Sequence, residues 1–244
     1  MIKSNMKTRQ NRNDSNRKET SRTDILLAGI DAFGRLGFAG ATTRMIAEEA
    51  GANLGLLQYY FGGKEKLYVA CAEHIVAHME PGIIALSTVA QSTVTSDSAS
   101  LEDHLESLST LWMAACDLLL GSQGPKNWLT FVSREQLSPG PAANIFYQRI
   151  VKRLIDMFSR PIGTILDLSP KTEEVILNTL AILGPIFIFQ RAPGIVLTAL
   201  GWPQLDGERM KRAKKILARQ SIYGLDVRTG SKPKHSSQKQ ATRC

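Results

Sequence analysis

The sequence predicts an all-α chain, with an N-terminal three-helix head and a larger C-terminal helical body. Apolar residues recur three and four apart along most of its 244 residues, and no stretch alternates apolar and polar as a strand would. Glycine and proline cut this pattern into segments of helical length. The third observation is local. Residues 42–68, TTRMIAEEAGANLGLLQYYFGGKEKLY, hold two short apolar helices joined by a glycine-containing turn.

The elements follow in order. Leu26, Ile30, Phe33 and Leu36 give helix 1 one stripe over about 23–36; Ser21 or Thr23 caps it and Gly37 ends it. Thr42 or Thr43 caps helix 2, which carries Met45, Ile46, Ala47 and Ala50 and stops at Gly51. Asn53 caps helix 3, whose inward residues Leu57 and Phe61 lie four apart. Helix 4 follows Gly62-Gly63 and is expected to break near Met79, ahead of Pro81-Gly82. Residues 87–100 are rich in serine and threonine and read as a loop. Helices are then expected over about 101–120, 128–137 and 142–167, with Pro161 kinking or ending the last of these. A helix over 171–191 is apolar on nearly every side from Leu180 onward, which predicts burial in a core or against another subunit. A final amphipathic helix spans about 206–224.

A helix, a tight turn and a second helix with one buried and one free face can hold that second helix out for a DNA major groove. Charge supports the same direction. Residues 1–22 carry a net +5 and residues 226–244 a net +4, so the stretch between them is −1 within a total of +8. Both basic tails, 1–21 and 226–244, are expected to be disordered. The first adjoins the head and suits phosphates or the minor groove; the second suits solubility. No run approaches the ~18 apolar residues of a membrane span, and the N-terminus has no signal-like apolar segment. Cys71, Cys116 and Cys244 are far apart, without a CxxC, as in a reduced cytoplasmic protein. No HExxH, GxSxG or glycine-rich phosphate loop points to an enzyme or a cofactor.

Residues 22–68 resemble the TetR family of one-component regulators. The residues that carry the likeness are Ala32-Phe33, Gly37-Phe38, Thr42-Thr43, Ile46-Ala47, Ala50-Gly51, Tyr60-Phe61 and Lys64-Glu65-Lys66-Leu67-Tyr68. FVSREQLSP (131–139), LAILGPIFIFQRA (180–192) and LGW (200–202) resemble its CecR-like subgroup. The resemblance implies a homodimer whose head, 22–68, binds a palindrome in double-stranded DNA. It implies that the body, 69–225, holds a small-molecule inducer pocket and the dimer interface, helix 4 being the only element that head and body share.

Carried onto this chain, the family's DNA positions are Thr42, Thr43 and Arg44 beside the backbone, then Asn53, Leu54, Gly55, Leu56, Gln58 and Tyr59 on helix 3, and Lys64 with the first amides of helix 4. The Gln58 amide suits adenine in the major groove, and Leu54 or Leu56 a thymine methyl. Gly55 admits close backbone approach. Tyr59 offers a hydroxyl to a phosphate, and a helix N-terminus beside Lys64 favours anions. Leu54 stands where the family often has Lys or Ser, and Gln58 where it often has Tyr. Arg44 also suits a pair with Glu48, and Tyr60 suits the core.

In the body, Trp112, Trp128, Phe131, Phe146, Phe158 and Phe187 suit a pocket lining or an ordinary core. Arg134 and Gln136 are expected to touch a polar ligand; Arg134-Glu135 equally suits a structural ion pair. The dimer is expected to form from 171–191 and 206–224, with small residues at Ala181 and Gly184 permitting close approach. Two rivals remain. His74 and His78, four apart, have metal-ligand spacing and suggest a metal-responsive regulator; no metal site is expected. A helical interaction module without DNA binding is the other.

Overall fold

The computed structural model describes residues 22–92, 99–121, 126–222 and 224–225. The two basic tails expected to be disordered, and residues 93–98 of the serine-rich loop, lie outside the described residues. Among the described residues there are helices and no strand.

Helix α1 covers 22–40, with Gly37 at φ +75° inside the run, and it buries Ile25, Leu26, Ile30, Ala32 and Phe33. The left-handed glycine marks where the regular helix was expected to end; a further turn closes after it, from the Ala41 N–H to the Gly37 carbonyl. Helix α2 (Thr43–Glu49) is capped by Thr42, whose hydroxyl accepts from the Met45 N–H at 3.2 Å. Helix α3 (Leu54–Phe61) is capped by Asn53, whose side chain accepts from the Leu56 N–H at 2.7 Å. Gly62 closes α3 in the left-handed conformation, φ +69°. Leu57 and Phe61 are the two buried residues of α3 and pin it to the small core of the head.

Helix α4 (Lys64–Ser92) corrects the expected break at Pro81-Gly82. A proline inside a helix costs about 3 kcal/mol. Past it, Ile83 and Leu86 are buried to 1% and 3% exposure, and burying two such side chains returns about 3–6 kcal/mol. Gly82 also sits where a Cβ would lie 2.2 Å from Leu118 Cδ1, so its lack of a side chain lets α4 approach the next helix closely. The helix therefore continues into the stretch expected to be loop.

Helix α5 (Leu101–Gly121) packs against α4. Helix α6 (Lys126–Leu137) is short. Helix α7 (Ala143–Phe146) leads through a π-helical turn (Tyr147–Val151) into α8 (Lys152–Leu166). Pro161 neither ends nor replaces the helix, because Phe158, Ile162 and Ile165 on either side of it stay buried. The irregularity of this long element lies at Tyr147–Val151 instead, where the sequence carries no such signal. Helix α9 (Glu173–Arg191) is capped by Thr172 and packs on α8. Helix α10 (Pro193–Leu200) was not expected from the periodicity. Helix α11 (Gly207–Ile222) lies on α5 and α9.

Head and body share more than α4, contrary to expectation. The rings of Phe33, Phe38, Tyr68 and Phe131 meet with centroids 4.7–6.4 Å apart, joining α1 and α4 to α6.

Candidate DNA interface and ligand cavity

The outward face of α3 is built by the burial of Leu57 and Phe61. Positions 54, 55, 58 and 59 then turn to solvent; Leu54 is 50% exposed and Tyr59 79%. Leu56 departs from its expected outward place: it is half-buried against the core, on the same side as half-buried Tyr60 four residues on. Gly55 is tight against the cap, since a Cβ there would lie 3.3 Å from Asn53 Oδ1.

The polar groups of the face are partly engaged. Gln58 Nε2 donates to the Gly62 carbonyl at 3.0 Å, so reading a base requires exchanging that bond, worth about 0.5–1.5 kcal/mol. Lys64 Nζ donates to the Ala39 carbonyl at 3.3 Å and lies 4.8 Å from the Phe38 ring centroid, which draws it back toward the end of α1. Arg44 pairs with Glu48 at 3.0 Å, both well exposed, so the pair contributes at most a few tenths of a kcal/mol. Thr42 is exposed and Thr43 half-buried.

In the body, an apolar cavity of about 240 Å³ is enclosed by α4, α5, α6, α8 and α9. Ile75, Met79 and Gly82 form its α4 wall; Trp128, Val132 and Gln136 come from α6. It adjoins an open groove of about 420 Å³, and Gln136, Val151, Phe187 and Arg191 line both. Together they fall in the range usual for small-molecule sites. Trp128 Nε1 is buried and meets no hydrogen-bond partner among the described residues.

Of the eight candidate pocket residues, Trp128, Gln136 and Phe187 line the cavity and Phe146 the groove. Trp112, Phe131, Arg134 and Phe158 do not. Trp112 is fully buried and donates its indole N–H to the Ile182 carbonyl at 2.8 Å, tying α5 to α9 as core. Phe131 is spent in the aromatic cluster between head and body. Arg134 reaches away from the cavity: Nε donates to the Gly34 carbonyl at 3.1 Å and Nη2 to the Arg35 carbonyl at 2.9 Å. It satisfies carbonyls at the end of α1, where a cation is favoured by the helix dipole. The alternative Arg134–Glu135 ion pair is not what is formed either. Glu135, 2% exposed, accepts from the Tyr68 hydroxyl at 2.6 Å and from the Gly140 N–H at 3.3 Å. Phe146 lines the outer groove, and Phe158 belongs to the core.

Arg191 is the charged lining residue of the inner cavity that the sequence did not single out. Its only signal was a cation closing an otherwise apolar helix. The residue is exposed, its guanidinium carbon lies 5.8 Å from the Phe187 ring centroid, and the desolvation it does meet lowers its pKa from the ordinary value.

His74 and His78 turn their rings against Trp128, at 5.4 and 4.8 Å between centroids, in edge-to-face contact. Burial, with smaller effects from His78 and Arg22, lowers the His74 pKa, so its neutral ring is favoured. Among the described residues, no three His, Cys, Asp or Glu side chains cluster as a metal site.

The fold and its two surfaces define a helical regulator with a DNA-reading head and a ligand-sized cavity in its body. Residues 25–71 match the profile of bacterial regulatory proteins of the tetR family, and residues 101–226 match the C-terminal domain of the HTH-type transcriptional dual regulator CecR. The CecR regulator of Shigella flexneri is 30% identical over 194 residues, covering 78% of this chain and 85% of its own. The chain belongs to the TetR family of transcriptional regulators, with a CecR-type C-terminal domain. Among solved structures, a TetR-like regulator from Rhodococcus sp. RHA1 aligns with TM-score 0.54 at 17% identity, covering 84% of this chain and 96% of its own. FadR from Bacillus subtilis, solved in complex with stearoyl-CoA, aligns with TM-score 0.52 at 15% identity, covering 83% and 98%.

Proposed function

We propose that this protein is a cytoplasmic homodimeric repressor that reads a palindromic operator with α3 and is released when a small molecule enters the cavity. The observation that carries the reading is the placement of α6. One side of it, Trp128, Val132 and Gln136, lines the cavity. The other, Phe131, Arg134 and Glu135, holds α1 and α4 of the head. A ligand that displaces α6 therefore acts on the head through α1 as well as along α4. The two half-sites lie ~34–36 Å apart on the duplex, so a small change in head spacing costs binding.

The DNA-reading set is Leu54, Gly55, Gln58 and Tyr59, with Thr42, Thr43, Arg44, Asn53 and Lys64 beside the phosphates and Leu56 supporting from behind. For the dimer, the structure favours α9 over α11. Leu177, Leu180, Ala181, Gly184 and Ile188 leave α9 with an exposed apolar face. The exposed side of α11 sets Lys211, Arg212, Lys215 and Arg219 around a single exposed apolar residue, Ile216, and two such faces would repel.

The test is a footprint of the purified protein on the duplex upstream of its own gene, with and without candidate toxic small molecules. A protected, symmetric, salt-sensitive site supports the reading. Absence of any salt-dependent duplex binding would favour an interaction module that does not touch DNA.

A further inference from the structure

The joined cavity and groove are not neutral in what they admit. Their walls are mainly apolar, and Arg191 is the one cation among the described residues that lines both. No carboxylate pairs with it: among the described residues the ion pairs are made by other arginines and lysines. The one acid in the groove wall, Glu135, is buried and already accepts from Tyr68 and Gly140. No acid lines the inner cavity. Phe187 carries the guanidinium on its ring face, at the junction of the two spaces. An exposed guanidinium fixed on the Phe187 ring at the mouth of an apolar chamber, with no counter-ion among the described residues, gains most from an anion that brings its own apolar body.

We propose that this site takes an amphipathic anion: an apolar body in the cavity between α4, α6 and α8, and a terminal carboxylate or phosphate against Arg191. The proposal rests on the reading of the chain as a ligand-controlled regulator and names the chemistry of its ligand. The inner chamber sets the size of the body, and the open groove leaves the anionic end in contact with water. A cation of the same shape meets like charge at Arg191, and a neutral alcohol meets no charge to pair.

The test is titration calorimetry of the full-length protein with decanoate, decan-1-ol and decyltrimethylammonium, each below its micelle-forming concentration. Decanoate is expected to bind about tenfold or more tightly than the alcohol, as a charge-assisted hydrogen bond implies, and the cation most weakly. Arg191→Gln should abolish the preference for decanoate over decan-1-ol, and Arg191→Lys should keep part of it. Thermal melting of both variants verifies folding; if Arg191→Gln melts early, the comparison stands on Arg191→Lys and on the three ligands with the unaltered protein. Decyl phosphate, run beside decanoate, separates a carboxylate source from a phosphate source, and either order of affinity is consistent with the site. Equal binding of decanoate and decan-1-ol, no binding of decanoate, or a preference unchanged in Arg191→Gln would overturn the assignment. DNA release is measured separately on the footprinted duplex. Anion binding without release would defeat the inducer reading and leave the site standing; release by neutral ligands alone would do the reverse.

Discussion

The Tyr68–Glu135 bond is the most exacting place to test how head and body are joined. Its 2.6 Å O–H···O separation lies in the short, charge-assisted range. Tyr68 and Glu135 are each about 2% exposed, so water cannot readily replace a lost partner. In Tyr68→Phe the ring and its packing on Phe33, Phe38 and Phe131 persist, and no cavity opens. Glu135 keeps only the Gly140 N–H, at 3.3 Å. A buried acceptor stripped of its partner costs about 1–3 kcal/mol. For a chain of this size that lowers the melting temperature by about 2–4 °C per kcal/mol. Glu135→Leu strands the Tyr68 hydroxyl at a similar cost. The double variant removes both partners and should lose less than the two single losses combined, by about 1–3 kcal/mol of coupling. Urea unfolding at one fixed protein concentration measures all four corners, since self-association would make stability concentration-dependent. If Tyr68→Phe falls within ~0.5 kcal/mol of the unaltered protein, or the losses simply add, the bond is not the tie described here.

Other consequences follow from the same geometry. Gln58→Ala should lose sequence preference by ~1–3 kcal/mol, read in competition binding between operator and scrambled duplex. Lys64→Ala should weaken all duplexes about equally and flatten the salt dependence; it should also lower stability slightly, because the Ala39 carbonyl loses its donor. Equal loss of discrimination in both variants would contradict these roles. Glu80 is held below its ordinary pKa of 4.5, chiefly by its hydrogen bond from Arg149. A depressed carboxylate stabilises the fold above its unfolded pKa and stops doing so as pH falls through the folded value. The stability gap between the unaltered protein and Glu80→Gln should therefore be present at pH 7 and shrink below about 4.5, as seen in melting curves across that range.

How much of this was legible beforehand depended on how local the cause was. Caps, turns and buried stripes act within one or two helical turns. Asn53, the break at Gly62 and the Leu57–Phe61 pair could thus be placed from residue type and spacing alone, as could the cap of α2 to one of Thr42 and Thr43, and with them the helical class and the outward face of α3 except for Leu56. What stayed hidden arose from long-range competition. Pro81 read as a break and Pro161 as a kink or an end because a proline's lost hydrogen bond is local, whereas the burial that outweighs it belongs to residues packed from other helices. Trp112, Phe131 and Arg134 looked like pocket residues by type, yet the cavity wall is chosen by which face of each helix turns inward. Arg134 in particular found carbonyls on α1, a hundred residues away from it in the chain. Arg191 was passed over for the same reason: a charge at a helix end gains significance only when tertiary packing sets it beside an apolar chamber, with no counter-ion among the described residues.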